Sequence, residues 1–233
     1  MNPRDPKHVF IGLPLSDGST RWSTSMSLLR MMSKKSPSGH SFSILPGGGC
    51  DVAHGRNLLL HQCINHTDAG KMVFIDSDVG FSPRDLFRLC AWLDMGLGIV
   101  CGIYPRKSLT HAWSINGGAV VSKDFPELWE SPELCTGFLG LDIDKVMLPM
   151  IEAHPETEYV IEDEAFRGEI GHEIFAMGVV NRRRLSEDYY FSKRAKDLGY
   201  KLFVDPTIQL GHTGYVDYLD VHQGKEGVLP RQT

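Results

Sequence analysis

Residues 72–104 read MVFIDSDVGFSPRDLFRLCAWLDMGLGIVCGIY. The first four are apolar and form a short strand that ends on Asp76. Ser82-Pro83-Arg84-Asp85 then offers an N-cap hydroxyl, a proline at the first helical position and an acid in the first turn. The helix it opens runs to about Met95, where Gly96 and Gly98 stop it, and 99–104 (IVCGIY) is a strand again. A strand, a helix and a second strand imply a parallel βαβ unit, hence an α/β sheet with helices on its faces.

The alternation continues on both sides. Upstream, 8–13 (HVFIGL) is a buried strand broken by Pro14 and Asp17-Gly18-Ser19, and 24–32 carries Met26, Leu28, Leu29 and Met32 at helical spacing. A turn at Ser36-Pro37-Ser38-Gly39 precedes a short strand at 42–45. Pro46-Gly47-Gly48-Gly49 reads as a flexible joint before a helix over 53–65. Downstream the pattern is more mixed. Residues 113–122 (WSINGGAVVS) read as a hairpin around Asn-Gly-Gly. A last helix at 187–198 closes on Gly199, strands follow at 201–205 and 207–210, and the tail beyond Tyr218 is polar.

Composition narrows the function classes. The 233 residues are 42% hydrophobic and 23% charged with a formal charge of −5, which excludes a disordered tail protein and disfavours a coat on nucleic acid. Without repeats or a linker, they are expected to form one domain. No uncharged apolar run reaches the roughly 18 residues of a membrane span. The N-terminus lacks the apolar core of a secretory signal, and the five cysteines form no Cys-x-x-Cys pair. A reducing cytoplasm is the expected location, with oligomeric state left open.

Chemistry concentrates in three places. Asp76-Ser77-Asp78 ends a strand, where open α/β sheets bind ligands. On an extended strand the two carboxylates would lie on one side, about 6–7 Å apart, suiting a hard divalent cation with bound phosphates. The plainer reading is that the acids cap the next loop. Ser186-Glu187-Asp188 opens the last helix, either as cap and dipole partners or as a general base at a cleft. Gly211-His212-Thr213-Gly214 ends a strand, so His212 can complete a metal sphere or be an ordinary histidine. Arg56, the Tyr104-Pro105-Arg106-Lys107 segment and the Arg182-Arg183-Arg184 run are weaker candidates for meeting anions.

Taken in order, these segments resemble a GT-A glycosyltransferase of a small subgroup frequent in phages, large viruses and bacteria. The resemblance rests on 8–15, 51–60 (DVAHGRNLLL), 73–89, 102–107 (GIYPRK), 136–141 (TGFLGL) and 185–214. The last segment is the most specific, because acidic pair, helix, Asp-Pro strand and His-x-Gly occur in the family's order. The resemblance implies a mostly parallel, Rossmann-like sheet with helices on both faces and a smaller mixed acceptor-side sheet. It further implies a nucleotide-binding half (1–105), an acceptor half (106–218) and a tail (219–233).

The resemblance also assigns roles. Pro14, Leu15 and Ser16 would hold the nucleobase, with Asp51 and Arg56 nearby. Asp76 would contact ribose or metal beside Ser77, and Asp78 and His212 would ligate Mn²⁺ or Mg²⁺. Gly137 and Phe138 would line the sugar, and Asp188 of the Glu187–Asp188 pair would be the base. A His-x-Gly ending also occurs in retaining relatives, in which Asp188 would bind the acceptor instead. The donor would be a UDP-sugar by default. The acceptor would be a modified DNA base, a glycan or a protein hydroxyl. Rivals are a haloacid-dehalogenase-like phosphatase with Asp76 as nucleophile, a nucleotidyltransferase, and a non-catalytic nucleotide-sugar-binding protein.

Overall fold

The computed structural model describes residues 3–15, 18–107, 112–115, 118–214 and 217–218. Ser16, the Asn116-Gly117 turn and the 219–233 tail lie outside the described residues. In chain order the first half holds β1 (Asp5–Leu15), α1 (Trp22–Met32), β2 (Ser41–Gly48), α2 (Val52–His66), β3 (Ala69–Ile75), β4 (Val79–Gly80), α3 (Pro83–Asp94) and β5 (Ile99–Ile103). Next come β6 (Val120–Val121), β7 (Trp129–Glu130), β8 (Phe138–Asp142) and α4 (Leu148–Ala153). Two short antiparallel hairpins follow, β9 (Glu158–Val160) with β10 (Ile170–His172) and β11 (Gly178–Val180) with β12 (Arg183–Leu185). The chain ends with α5 (Glu187–Asp197), β13 (Phe203–Gln209), β14 (Gly211–Thr213) and β15 (Asp217–Tyr218).

An eight-stranded sheet in the order β2-β1-β3-β8-β5-β13-β7-β6 carries the core. β1 runs parallel to β2 and β3, and β5 parallel to β13. β8 enters between β3 and β5, antiparallel to both, so the two strands flanking α3 are not neighbours. All five β8 residues are buried, as a central strand covered on both faces requires. The sequence halves therefore share one sheet.

Register shows that helices cover both faces. Gly12 aligns with Phe74 across β1 and β3, and a Cβ on Gly12 would lie 3.3 Å from Leu59 of α2. Val73, on the opposite face by strand alternation, aligns with Gly140 of β8. A Cβ there would meet Leu89 and Leu93 of α3 at 3.2 Å. So α2 and α3 clasp the sheet from opposite sides.

Two local expectations are corrected. Gly47 and Gly48 are not a joint: they extend β2 opposite Pro14 and Leu15, with the Leu59 side chain seated where a Cβ on Gly47 would be. The antiparallel pair near 113–122 joins β6 to β7, while Trp113 bridges to Pro105. The Asp-Pro strand has a structural task. Asp205, fully buried, accepts from Arg88 Nε (2.5 Å) and Trp92 Nε1 (2.7 Å) of α3 and from Thr207 N (2.9 Å). Its charge is thus paired and hydrogen-bonded while it ties α3 to β13.

Candidate active site

β3 ends at Ile75, and the Val79 N–H closes a turn onto the Asp76 carbonyl at 3.0 Å. The strand-rise spacing expected for Asp76 and Asp78 therefore does not apply, because the chain reverses between them. Asp76 lies two residues beyond Phe74 and meets α2. Arg56, 1% exposed, donates from Nη2 to Asp76 Oδ1 at 2.7 Å, and its guanidinium lies 5.3 Å from the Phe74 ring centroid. Its Nε is 3.8 Å from Glu187 Oε1. Burial alone would lower the guanidinium pKa, but the Asp76 and Glu187 charges hold it above its ordinary value.

Asp78 points to another group. β4 pairs with β14, bringing His212 opposite Val79, and Thr213 N donates to the Asp78 carbonyl at 2.9 Å. His212 Nε2 is 3.5 Å from Asp78 Oδ1, and the Lys107 ammonium also contacts this carboxylate. His212 Nδ1 is 2.8 Å from the Pro105 carbonyl, which only accepts, so Nδ1 carries a proton and Nε2 is the nitrogen left facing Asp78. Carbonyl-anchored imidazoles of this kind are how proteins orient metal ligands. Burial works to raise the Asp78 pKa, yet hydrogen bonds from His212 and Lys107 hold it below the usual carboxylate range. The carboxylate oxygen and imidazole nitrogen fit a divalent cation, and the nitrogen suits a transition ion such as Mn²⁺ better than Mg²⁺.

Asp76 stands apart from the Asp78–His212 pair. Its Oδ1 is spent on Arg56, and Asp76, Asp78 and His212 do not gather their ligand atoms within 4.8 Å of one another. Phe138, expected to line the sugar, is fully buried, 5.4 Å from Phe81 between ring centroids, and its side chain packs the core. Gly137 is at the site. Its carbonyl accepts from Asp76 N at 3.0 Å, and a Cβ there would lie 2.5 Å from the Tyr104 hydroxyl and 2.7 Å from Asp76 Oδ2. We expect Gly137→Ala to push Asp76 off Arg56, lowering unfolding free energy by about 1–3 kcal/mol. Denaturant titration checks this; an unchanged value would contradict it.

At the start of α5 the Ser186 hydroxyl makes no cap bond to the backbone; it donates to Asp188 Oδ1, which also accepts from Tyr189 N at 2.8 Å. Glu187 is more committed, with Oε1 3.5 Å from Thr136 Oγ1 and facing Arg56. Burial raises the pKa of both acids, opposed at Asp188 by the Ser186 and Tyr189 hydrogen bonds and at Glu187 by the Arg56 charge.

The remaining candidates are peripheral. Pro14 and Leu15 end β1, and the Ser77 carbonyl accepts from Arg21 N at 2.7 Å. Asp51 caps α2 through His54 N (2.8 Å) and borders a cavity of about 820 Å³ with His54, Tyr159 and Asp163. The arginine run forms a tight hairpin turn in which Asn181 and Arg182 have φ of 50° and 66°. Arg183 pairs with Glu133 at 2.5 Å, whereas Arg182 and Arg184 are exposed. Sequence reading named Tyr104 only within a cation-bearing segment and Ser186 only as a helix cap. The buried Tyr104 stands edge-on to His212, with 4.9 Å between ring centroids, and its strand-end position was its one signal.

Neither a protein-family model nor a curated protein matches the sequence. Solved structures do. A197 from STIV matches with a TM-score of 0.53 at 19% identity, over 96% of this chain and 100% of that one. GalNAc-T7, crystallised with UDP, GalNAc and Mn²⁺, matches with a TM-score of 0.53 at 9% identity, over 88% of this chain. The match covers 43% of GalNAc-T7, so the chain spans less than half of that enzyme. The fold is GT-A. Within this GT-A sheet Leu15 ends β1, and the Asp76–Val79 turn, Tyr104 and His212 follow β3, β5 and β13, at the strands' carboxyl ends. Among the described residues no helix is long and apolar enough to cross a membrane.

Proposed function

We propose that the chain is a metal-dependent glycosyltransferase that moves a sugar from a nucleotide-diphosphate donor, a UDP-sugar, to an acceptor hydroxyl. The observation that carries this reading is His212, whose Nδ1 is anchored on the Pro105 carbonyl while Nε2 faces Asp78 Oδ1. GalNAc-T7, which shares the fold, was crystallised with UDP, GalNAc and Mn²⁺, and this supports the donor class and the ion. Asp78 and His212 would hold the cation, which supplies positive charge against the departing diphosphate.

The chain's own groups do the rest. Asp188 Oδ2 takes the proton of the acceptor hydroxyl, with Oδ1 fixed by Ser186 and the Tyr189 N–H. Arg56 holds Asp76 against the donor side and keeps Glu187 in place. The exposed Arg182 and Arg184, just before α5, favour an anionic acceptor such as modified DNA over a neutral one. An aspartyl-phosphate route through Asp76 fits less well, because Arg56 already occupies Oδ1.

Calorimetry with UDP-sugars tests the reading. Binding is expected to need both Mn²⁺ and the diphosphate, and Asp78→Asn and His212→Gln should each abolish it together with sugar transfer. Full activity in both variants, or phosphate release without transfer, would overturn it.

A further inference from the structure

A second cluster of ligand-type side chains lies away from the candidate active site. Among the described residues it is the trio of His, Cys, Asp or Glu groups whose ligand atoms all fall within 4.8 Å of one another. Near the end of α2, His61 Nε2 and His66 Nε2 converge on a single oxygen, Glu169 Oε2, at 2.8 and 2.9 Å. Glu169 comes from far along the chain, on the segment between β9 and β10.

We propose that His61, His66 and Glu169 form a site for a divalent transition-metal cation of the Zn²⁺ class, which fastens the β9–β10 hairpin to α2. Two imidazoles and a carboxylate are the ligand set such an ion takes, at about 2.0–2.2 Å from each donor atom. Tetrahedral ligands then stand about 3.3 Å apart, so the present contacts need to open by only about half an ångström. His61 is anchored from behind by Asn65, 3.0 Å from Nδ1. An amide offers a donor at one end and an acceptor at the other, so Asn65 can turn its oxygen to the Nδ1–H that metal binding at Nε2 requires. The Phe166 ring lies 5.1 and 5.2 Å from the two imidazoles and gives the cluster an apolar wall. The His66 and Glu169 side chains are 41% and 40% exposed, leaving room for a water as fourth ligand.

The consequence is mechanical. Glu169 and Ile161 are tied by the Ile161 N–H to Glu169 carbonyl bond at 2.9 Å, and Asp163 of the same segment meets His54 at 2.9 Å. This segment walls the cavity beside Asp51. An ion on Glu169 would fix that wall. Three contacts to α2 hold the segment in place. The inference does not depend on the sugar-transfer reading.

The full-length chain, stripped with EDTA and dialysed, is titrated with Zn²⁺ against a chromophoric chelator, alongside His66→Gln and Glu169→Gln. Both substitutions alter exposed side chains, so the folded state should persist, which circular dichroism in EDTA verifies. The wild type is expected to take up one more ion per chain than either variant, and to melt about 5–10 °C higher at saturating zinc. Equal uptake in all three chains, or no zinc-dependent rise in melting temperature, means a plain hydrogen-bonded clasp and overturns the proposal.

Discussion

Replacing Arg56 by leucine is expected to lower the unfolding free energy by about 3–5 kcal/mol, the cost of removing one partner from a buried ion pair. Arg56 is 1% exposed and stands between Asp76, 27% exposed, and Glu187, 13% exposed, as the only cation paired with either acid among the described residues. Leucine would fill much of the volume and leave two carboxylates facing each other. The Glu187 pKa, already raised by burial and held back by the Arg56 charge, would rise further. A raised pKa contributes stability that is complete below the unfolded value and lost as pH climbs through the folded one. The variant should therefore be least stable at neutral pH and recover toward pH 4. Guanidinium denaturation across that range reads the effect. Adding Asp76→Asn and Glu187→Gln to Arg56→Leu should restore part of the loss, because no uncompensated charge remains. A leucine variant as stable as wild type at pH 7 would show that water already screens the pair.

The α3 unit was legible because its signals are local. Ser82 accepts from Asp85 N while Asp85 accepts from Ser82 N, with Pro83 between them, and all three sit in a four-residue window. The intrusion of β8 between β3 and β5 was not legible. Which strand lies beside which depends on contacts between distant segments, and FLGL reads the same at an edge or at the centre. Pro46-Gly47-Gly48 misled for a related reason. Glycine suggests freedom, yet here the absence of a Cβ admits Leu59.

At the site, spacing alone located the acids and His212 without fixing their directions. The turn closed by the Val79 N–H sends Asp76 toward α2 and Asp78 toward β14. No periodicity argument contains that reversal. Phe138 was assigned by position along the chain, which does not say that strand alternation points its ring into the core. Ser186 read as an ordinary helix cap; only coordinates reveal that its hydroxyl turns to Asp188.

On the proposed sugar-transfer role, Asp188→Asn is expected to reduce kcat by about 10²–10⁴-fold, the usual contribution of a positioned general base, with donor affinity nearly unchanged. Asparagine keeps an oxygen at Oδ1 for the Ser186 hydroxyl and the Tyr189 N–H, so the helix start should survive intact. What disappears is the proton acceptor at Oδ2. Burial lifts the Asp188 pKa above the ordinary range, so wild-type kcat should fall with unit slope on the acid side, starting at a higher pH than a free aspartate would give. That limb should be missing from the residual activity of the variant. Stability should move the other way. The buried carboxylate is disfavoured once ionised, so the neutral amide should melt a few degrees higher at pH 7, and the gap should close as pH falls below the native pKa. An inactive variant with a raised melting temperature is the signature of a base held in its site at the expense of the fold. Retention of more than about a tenth of kcat, below the smallest loss expected of a general base, would remove Asp188 from that role.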